Sequence, residues 1–155
     1  MKQGLVSVLT PMYNTEKYIH RLLDSVLSQT YPHIEMIVVD DGSRDNSKDV
    51  VMRYIPEFEK KGYTLRYVYQ ENSGQSVAIK NGLPLCTGEY LVWPDSDDYY
   101  SSVEAISQMV SVLASSSEEF QLVRTQEEVI DETTGKVIGL NGANAKEEED
   151  RSLFD

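Results

Sequence analysis

Two short runs of aspartate carry the chemistry this sequence offers: Asp95-Ser96-Asp97-Asp98 and Asp40-Asp41. The first follows a hydrophobic segment, Glu89 to Trp93, at once, so at least two of its carboxylates must face the same small volume. Like charges that close are costly unless a cation lies between them, and hard oxygen ligands suit magnesium or manganese. Such an ion would bridge substrate phosphate oxygens instead of sitting in an all-protein cage. The plain alternative is an acidic helix start with a solvated turn. The second run ends another hydrophobic segment and precedes Gly42-Ser43. A carboxylate there either meets a nucleoside, as in dinucleotide-binding folds, or closes an Asx turn, and the two are compatible.

The elements that must position these runs alternate along the chain. Leu5 to Thr10 reads as a buried strand stopped by Pro11, with Asn14 or Thr15 capping a helix whose apolar positions, Tyr18 to Leu27, fall on one face. Glu35 to Asp40 is a second strand, and Ser47 starts a helix that Pro56 kinks or ends, with Gly62 closing the unit. Leu65 to Gln70 is a third strand; Ser73-Gly74 leads into a helix through Val77 and Ala78, and Glu89 to Trp93 is a fourth strand with Trp93 packed in the sheet. Ser101 or Ser102 caps a helix striped with Val103, Ile106, Val110 and Leu113, and Gln121 to Thr125 is a fifth strand candidate. Val129-Ile130 and Lys136 to Ile138 flank Thr134-Gly135 as a hairpin, and Asn141 to Asp155 shows no periodicity. Strand and helix in alternation predict an α/β domain with a parallel sheet, in which right-handed crossovers bring the loops after strands one, two and four to one edge. Ligands bind at that edge.

Composition narrows the function further. With 155 residues the chain is one domain of ordinary size. Its net charge of -12 repels polyphosphates, which excludes nucleic acid as a partner and implies a cation wherever an anion binds. Residues 118–155 hold 11 acids and 4 bases, the more solvated part, and Glu147 to Asp150 is a solvated run. No stretch of about 18 apolar residues spans a bilayer, and the five from Leu5 to Leu9 are too short for a signal-peptide core. A cytoplasmic protein is expected, at most associated with the inner face of the membrane. A single cysteine, Cys86, is read as a small buried hydrophobe, and His20 and His33 lack metal-ligand spacing.

Other polar groups near the edge have two readings each. Tyr13 either stacks a base or packs at the surface, and Asn72 to Ser76 either turns its amides to a phosphate or sugar or serves as a capping loop.

Together, Val6 to Asn14, Val38 to Ser43, Ser73 to Ser76 and Gly88 to Asp98, in this order and spacing, closely resemble the family 2 glycosyltransferases of GT-A fold, a Rossmann-like, mostly parallel sheet flanked by helices. The resemblance covers about residues 4–125. It implies a nucleotide-sugar-binding subdomain over 1–125, with 126–155 a hairpin and acidic tail that start an incomplete acceptor-binding half. By the same resemblance Thr10, Pro11 and Tyr13 line the base and ribose, Asp41 contacts uracil or another base with Asp40 beside it, and Gly74, Gln75 and Lys80 flank the pyrophosphate or sugar. Asp95, Ser96 and Asp97 form the Asp-X-Asp motif, with Asp97 the direct metal ligand and Asp95 on the ribose or acting through water. Many members carry Ala-Arg-Asn where this chain has Ala78-Ile79-Lys80, so a guanidinium contact is absent.

The implied chemistry is inverting transfer of a sugar from a nucleoside-diphosphate sugar, with Mn2+ or Mg2+, to a hydroxyl of a glycan or lipid-linked acceptor, as in polysaccharide assembly. In that family the base lies well beyond the Asp-X-Asp motif, past Asp155, so no catalytic base is assigned. The alternative is a noncatalytic nucleotide-sugar-binding or assembly module. A phospho-accepting receiver is disfavoured because its acid pair follows the first strand, where Thr10-Pro11 stands, and a nucleotidyltransferase because Leu9 to Tyr13 contains no glycine. The sugar, the acceptor and the oligomeric state stay open.

Overall fold

The computed structural model describes residues 1–115, 122–123 and 125–141. Contacts divide the chain into two compact units, 1–111 and 112–155. The first is built on four parallel strands, β1 (Lys2–Met12), β2 (Ile34–Asp41), β3 (Thr64–Gln70) and β4 (Gly88–Val92), in the order β3-β2-β1-β4. The chain therefore winds outward from β1 to β3 and then crosses to the other side of β1. The order reverses between β1 and β4, where a ligand crevice forms in such sheets.

Side chains alternate across the sheet. Val6, Val8, Met12, Met36 and Val38 face one core, which also receives Leu22, Leu23 and Val26 of α1 (Ile19–Leu27), Val51 and Phe58 of α2 (Ser47–Lys61) and Ile106 of α4 (Ala105–Ser115). Leu9, Ile37 and Val39 face the other, smaller core with Ala78 of α3 (Gln75–Gly82). That helix lies close: a methyl group on Gly82 would come within 2.3 Å of Leu9 Cδ1.

Several local expectations are corrected. Pro11 does not stop β1, which runs on to Met12. The β4 partner ends at Val92, opposite Val8, so at Pro11 the strand is paired on one side only, where a residue without N–H is tolerated. Neither Asn14 nor Thr15 caps α1 through its side chain; Tyr18 holds the cap position, and the Thr15 carbonyl accepts the Tyr18 and Ile19 N–H groups. Pro56 does not end α2, which continues to Lys61 and closes on Gly62 at φ 84°. The proline lies on the exposed face, and the Met52 carbonyl that it leaves without a helical donor belongs to an exposed residue, open to hydration. Trp93 is not packed in the sheet: it lies beyond the end of β4 and is 53% exposed.

In the second unit, β5 (Glu127–Ile130) and β6 (Val137–Asn141) form an antiparallel hairpin around the expected Thr134-Gly135. Asp131 Oδ1 accepts the Thr134 N–H and hydroxyl, and Gly135 takes φ 66°. Of the fifth strand expected over 121–125, Leu122, Val123 and Thr125 carry no strand, and residues 121 and 124 lie outside the described residues. The acidic run 147–150 and the rest of 142–155 also lie outside them. No helix among the described residues is long and apolar enough to cross a membrane.

Candidate functional site

Parallel strands deliver all four of their following loops to one rim, and side-chain hydrogen bonds join these loops in series. The loop after β1 is tied to the loop after β2: Asn14 N donates to Ser43 Oγ at 2.9 Å and Arg44 N to Asn14 Oδ1 at 2.8 Å. Glu16 and Asp45 extend the seam, since Glu16 N donates to Asp45 Oδ2 and Asn46 donates through both nitrogens to Glu16 Oε2. Ser47 donates twice to Asp45 Oδ1. Burial would raise the Asp45 carboxyl, but these donors outweigh it and hold it below its ordinary value.

The two aspartates ending β2 serve opposite faces of the sheet, as period-two alternation requires. Asp40 Oδ1 accepts the Ser43 N–H at 2.8 Å, the Asx turn, and its Oδ2 accepts the Tyr67 hydroxyl at 2.6 Å on the side of α2. Asp41, 3% exposed, turns to the side of α3. Its Oδ1 accepts from Gln70 Nε2 and Ser73 N, at 2.7 and 2.8 Å, and its Oδ2 from Gly74 N at 2.8 Å. Burial pushes this carboxyl up, yet the donors from Ser73, Gln70 and Gly74 together hold it below the usual value, so it stays ionised. Gly42 is required beside them: at φ 80° it takes a conformation side chains rarely adopt, and a Cβ would lie 2.8 Å from Asn72 N.

The last link reaches the loop after β4. Gln75, the first residue of α3, donates from Nε2 to Asp95 Oδ1 at 2.6 Å, and the Asp95 carbonyl accepts the Asp98 N–H at 3.2 Å. Asp95 and Asp97 are exposed while Ser96 between them is buried. Among the described residues no side chain bonds the Asp97 carboxylate.

Asp41, Gly74, Gln75 and Asp95 are thus brought together in one chain of hydrogen bonds, and Tyr13, 47% exposed, stands on the same rim. Thr10 and Pro11 lie buried within β1 below it. Asp40 faces away from Gly74, and Lys80 is exposed on α3 while Ala78 and Gly82 face the sheet. The half-buried Ile79 packs against the smaller core. Gln70, which bonds Asp41 and accepts from Asn81 Nδ2 at 2.8 Å, was not singled out from the sequence. Only the β2–β3 register, which puts it opposite Asp41, reveals it.

The donor set fits a magnesium-type ion. Asp97 is an exposed carboxylate that no described residue bonds, and Asp95 stands two residues away, but no group of three or more His, Cys, Asp or Glu side chains among the described residues is placed to hold an ion alone. A cation here would complete its shell with water and phosphate oxygens, the habit of Mg2+ in phosphate-transfer sites.

Comparison with known proteins identifies the family and the fold. The profile described as Glycosyl transferase family 2 matches residues 7–138. An uncharacterized glycosyltransferase of Rickettsia typhi is 33% identical over 160 residues, covering 99% of this chain and 48% of that protein. The crystal structure of Staphylococcus aureus TarS 1–349 in complex with UDP-GlcNAc superposes with a TM-score of 0.64 at 32% identity, covering 71% of this chain and 31% of that one. The mannosyltransferase PcManGT of Pyrobaculum calidifontis, in complex with GDP-Man and Mn2+, gives a TM-score of 0.65 at 30% identity over 73% of this chain and 33% of that one. The chain spans less than half the length of the curated relatives it matches.

Proposed function

The chain belongs to glycosyl transferase family 2 and has that family's GT-A fold, and on this premise we propose that residues 1–125 form the donor site of a metal-dependent glycosyltransferase. The donor is a nucleoside-diphosphate sugar, UDP-linked in the first instance, and the sugar passes with inversion to a hydroxyl of a glycan or lipid-linked acceptor. TarS and PcManGT, solved with UDP-GlcNAc and with GDP-Man and Mn2+, support the donor class and the ion. The observation that carries the reading is the Gln75–Asp95 hydrogen bond, which joins the start of α3 to the Asp-Ser-Asp segment across the sheet's switch point.

Each rim residue then has a task. Tyr13 stacks the base. Asp41 meets the base edge and holds Ser73 and Gly74, so that the first N–H groups of α3, which helix geometry leaves without partners, face the diphosphate. Asp97 with Asp95 holds Mn2+ or Mg2+, which when bound supplies Lewis-acid stabilisation of the departing nucleoside diphosphate. Asp40 supports the rim from the other face through Ser43.

Calorimetric titration with UDP, with and without Mn2+, tests this on the wild type and on Asp97→Asn. Binding that requires both the ion and Asp97 is expected. Binding indifferent to both overturns the assignment of the ion, and no binding of UDP, GDP or TDP by the folded chain overturns the donor site.

A further inference from the structure

Among the described residues, one buried carboxylate is not used by this donor site. Glu35 lies near the start of β2, 3% exposed, at the opposite end of the strand from Asp40 and Asp41. It reaches across β1: Ser7 Oγ donates to its Oε1 at 2.7 Å, and Thr87 N donates to the same oxygen at 2.5 Å. The Thr87 hydroxyl lies 3.0 and 3.1 Å from the two carboxylate oxygens, and Ser7 Oγ in turn accepts the Gly88 N–H at 2.9 Å. Arg66 Nη2 approaches Oε2 at 4.0 Å. Burial raises this carboxyl, but the bonds from Ser7 and Thr87, with Arg66, outweigh it, and Glu35 stays charged.

What this charge holds is Thr87, the residue before β4, and through Ser7 the first residue of that strand, Gly88. That strand has five residues and, among the described residues, one neighbour, β1. Its pairing with β1 is interrupted between Lys2 and Val6, so continuous register rests on Tyr90 to Val92 opposite Val6 to Val8. Beyond the packing of Tyr90, Leu91 and Val92 against the two cores, so short a ladder has few bonds to fix its register, and a slip of one residue turns every following side chain to the other face. Asp95, three residues beyond β4, would then turn away from Gln75. Gly88 adds to the constraint, since a Cβ there would meet the Leu5 carbonyl at 2.6 Å and Ser7 Oγ at 2.7 Å. For stability alone a well-packed apolar cluster replacing Glu35, Ser7 and Thr87 together would serve about as well, because the desolvation of a buried charge offsets much of its attraction.

We propose that Glu35, through Thr87 and Gly88, is a positioning residue for the Asp95–Asp97 segment, setting the register of β4 from the end of the sheet remote from the site. The link to donor binding rests on the function proposed above; the link to β4 does not.

Hydrogen exchange on Glu35→Gln and on the milder Thr87→Val tests it, with the emission of Trp93, the chain's single tryptophan, as a second probe. The amides from Tyr90 to Val92 are expected to exchange about tenfold faster, with a shifted Trp93 emission, while those of Val26 in α1 and Val51 in α2 keep their rates. Acceleration confined to Thr87 and Gly88, or spread evenly over α1 and α2, overturns the proposal. In the second arm both variants bind UDP with Mn2+ about tenfold more weakly and free uridine as the wild type does, because Tyr13 and Asp41 do not ride on β4. Equal weakening of both ligands, or of neither, in variants of a wild type that binds them overturns it as well. A wild type that binds neither contradicts the donor site, and the exchange data then decide the register proposal alone.

Discussion

The two ends of the same four strands treat carboxylates in opposite ways. At the end where the strands begin, Glu35 is enclosed and every neighbouring donor points at it: Ser7, the Thr87 amide and the Thr87 hydroxyl. At the end where they finish, the carboxylates form a gradient. Asp41 is as buried as Glu35 and equally engaged, Asp95 is exposed with Gln75 on one oxygen, and Asp97 is exposed and unbonded among the described residues. Glu35, buried and fully supplied with donors at the end remote from the rim, is part of the frame. On the function proposed above, Asp97, open toward solvent and next to others of the same sign, is the carboxylate left for a cation.

This contrast breaks most visibly if Glu35 is removed. Glu35→Ala leaves Ser7 and Thr87 without their acceptor and opens a hole beside them, and charged hydrogen bonds of this kind are worth about 1.5–3 kcal/mol each. A loss of about 3 kcal/mol in urea-induced unfolding is expected. A loss below about 0.5 kcal/mol would place Glu35 with ordinary surface residues and dissolve the comparison.

Acid sharpens it. Glu35, Asp41 and Asp45 all have folded-state values below their ordinary ones. Each therefore binds its proton more readily in the unfolded chain, so the stability it contributes is complete above the ordinary carboxylate range near pH 4 and is lost as pH falls through the lowered values. Asp41→Asn turns an amide donor toward the Ser73 or Gly74 N–H. It should cost about 1–2 kcal/mol at pH 7 and make the acid limb of the stability curve shallower. An acid limb as steep as the wild type's would mean that Asp41 does not supply it.

How much of this could be read before the fold was known depends on the range of the interaction. The strand–helix alternation, the carboxylates after β2 and β4 and the Asx turn of Asp40 with Ser43 are local patterns, and residues a few positions apart disclose them. Pro11 and Pro56 misled because a proline's cost depends on whether its missing N–H had a partner, which neighbouring strands and solvent decide. Trp93 misled because apolar character was taken for burial, whereas β4 ends one residue earlier. Glu35, Thr87 and Gln70 give no signal: the bonds Ser7–Glu35, Gln70–Asp41 and Thr87–Glu35 span 28 to 52 positions, and only the order β3-β2-β1-β4 makes these residues neighbours.

The smallest expected effect on stability belongs to the residue with the largest expected effect on binding. Asp97→Asn removes a charge that no described residue bonds and that stands beside Asp95 and Asp98, so folding should change by less than about 0.5 kcal/mol, with any change toward greater stability. Urea unfolding without divalent ion measures this, and the same protein should show no Mn2+-dependent gain in stability, where the wild type gains by mass action. If Asp97→Asn instead costs more than about 1 kcal/mol without the ion, Asp97 is holding the loop together, and the open end of the gradient is a second frame. A stable variant that has lost its response to Mn2+ would place the two ends of the sheet where the comparison puts them: one carboxylate whose partners are all within the chain, and one whose partner is a cation.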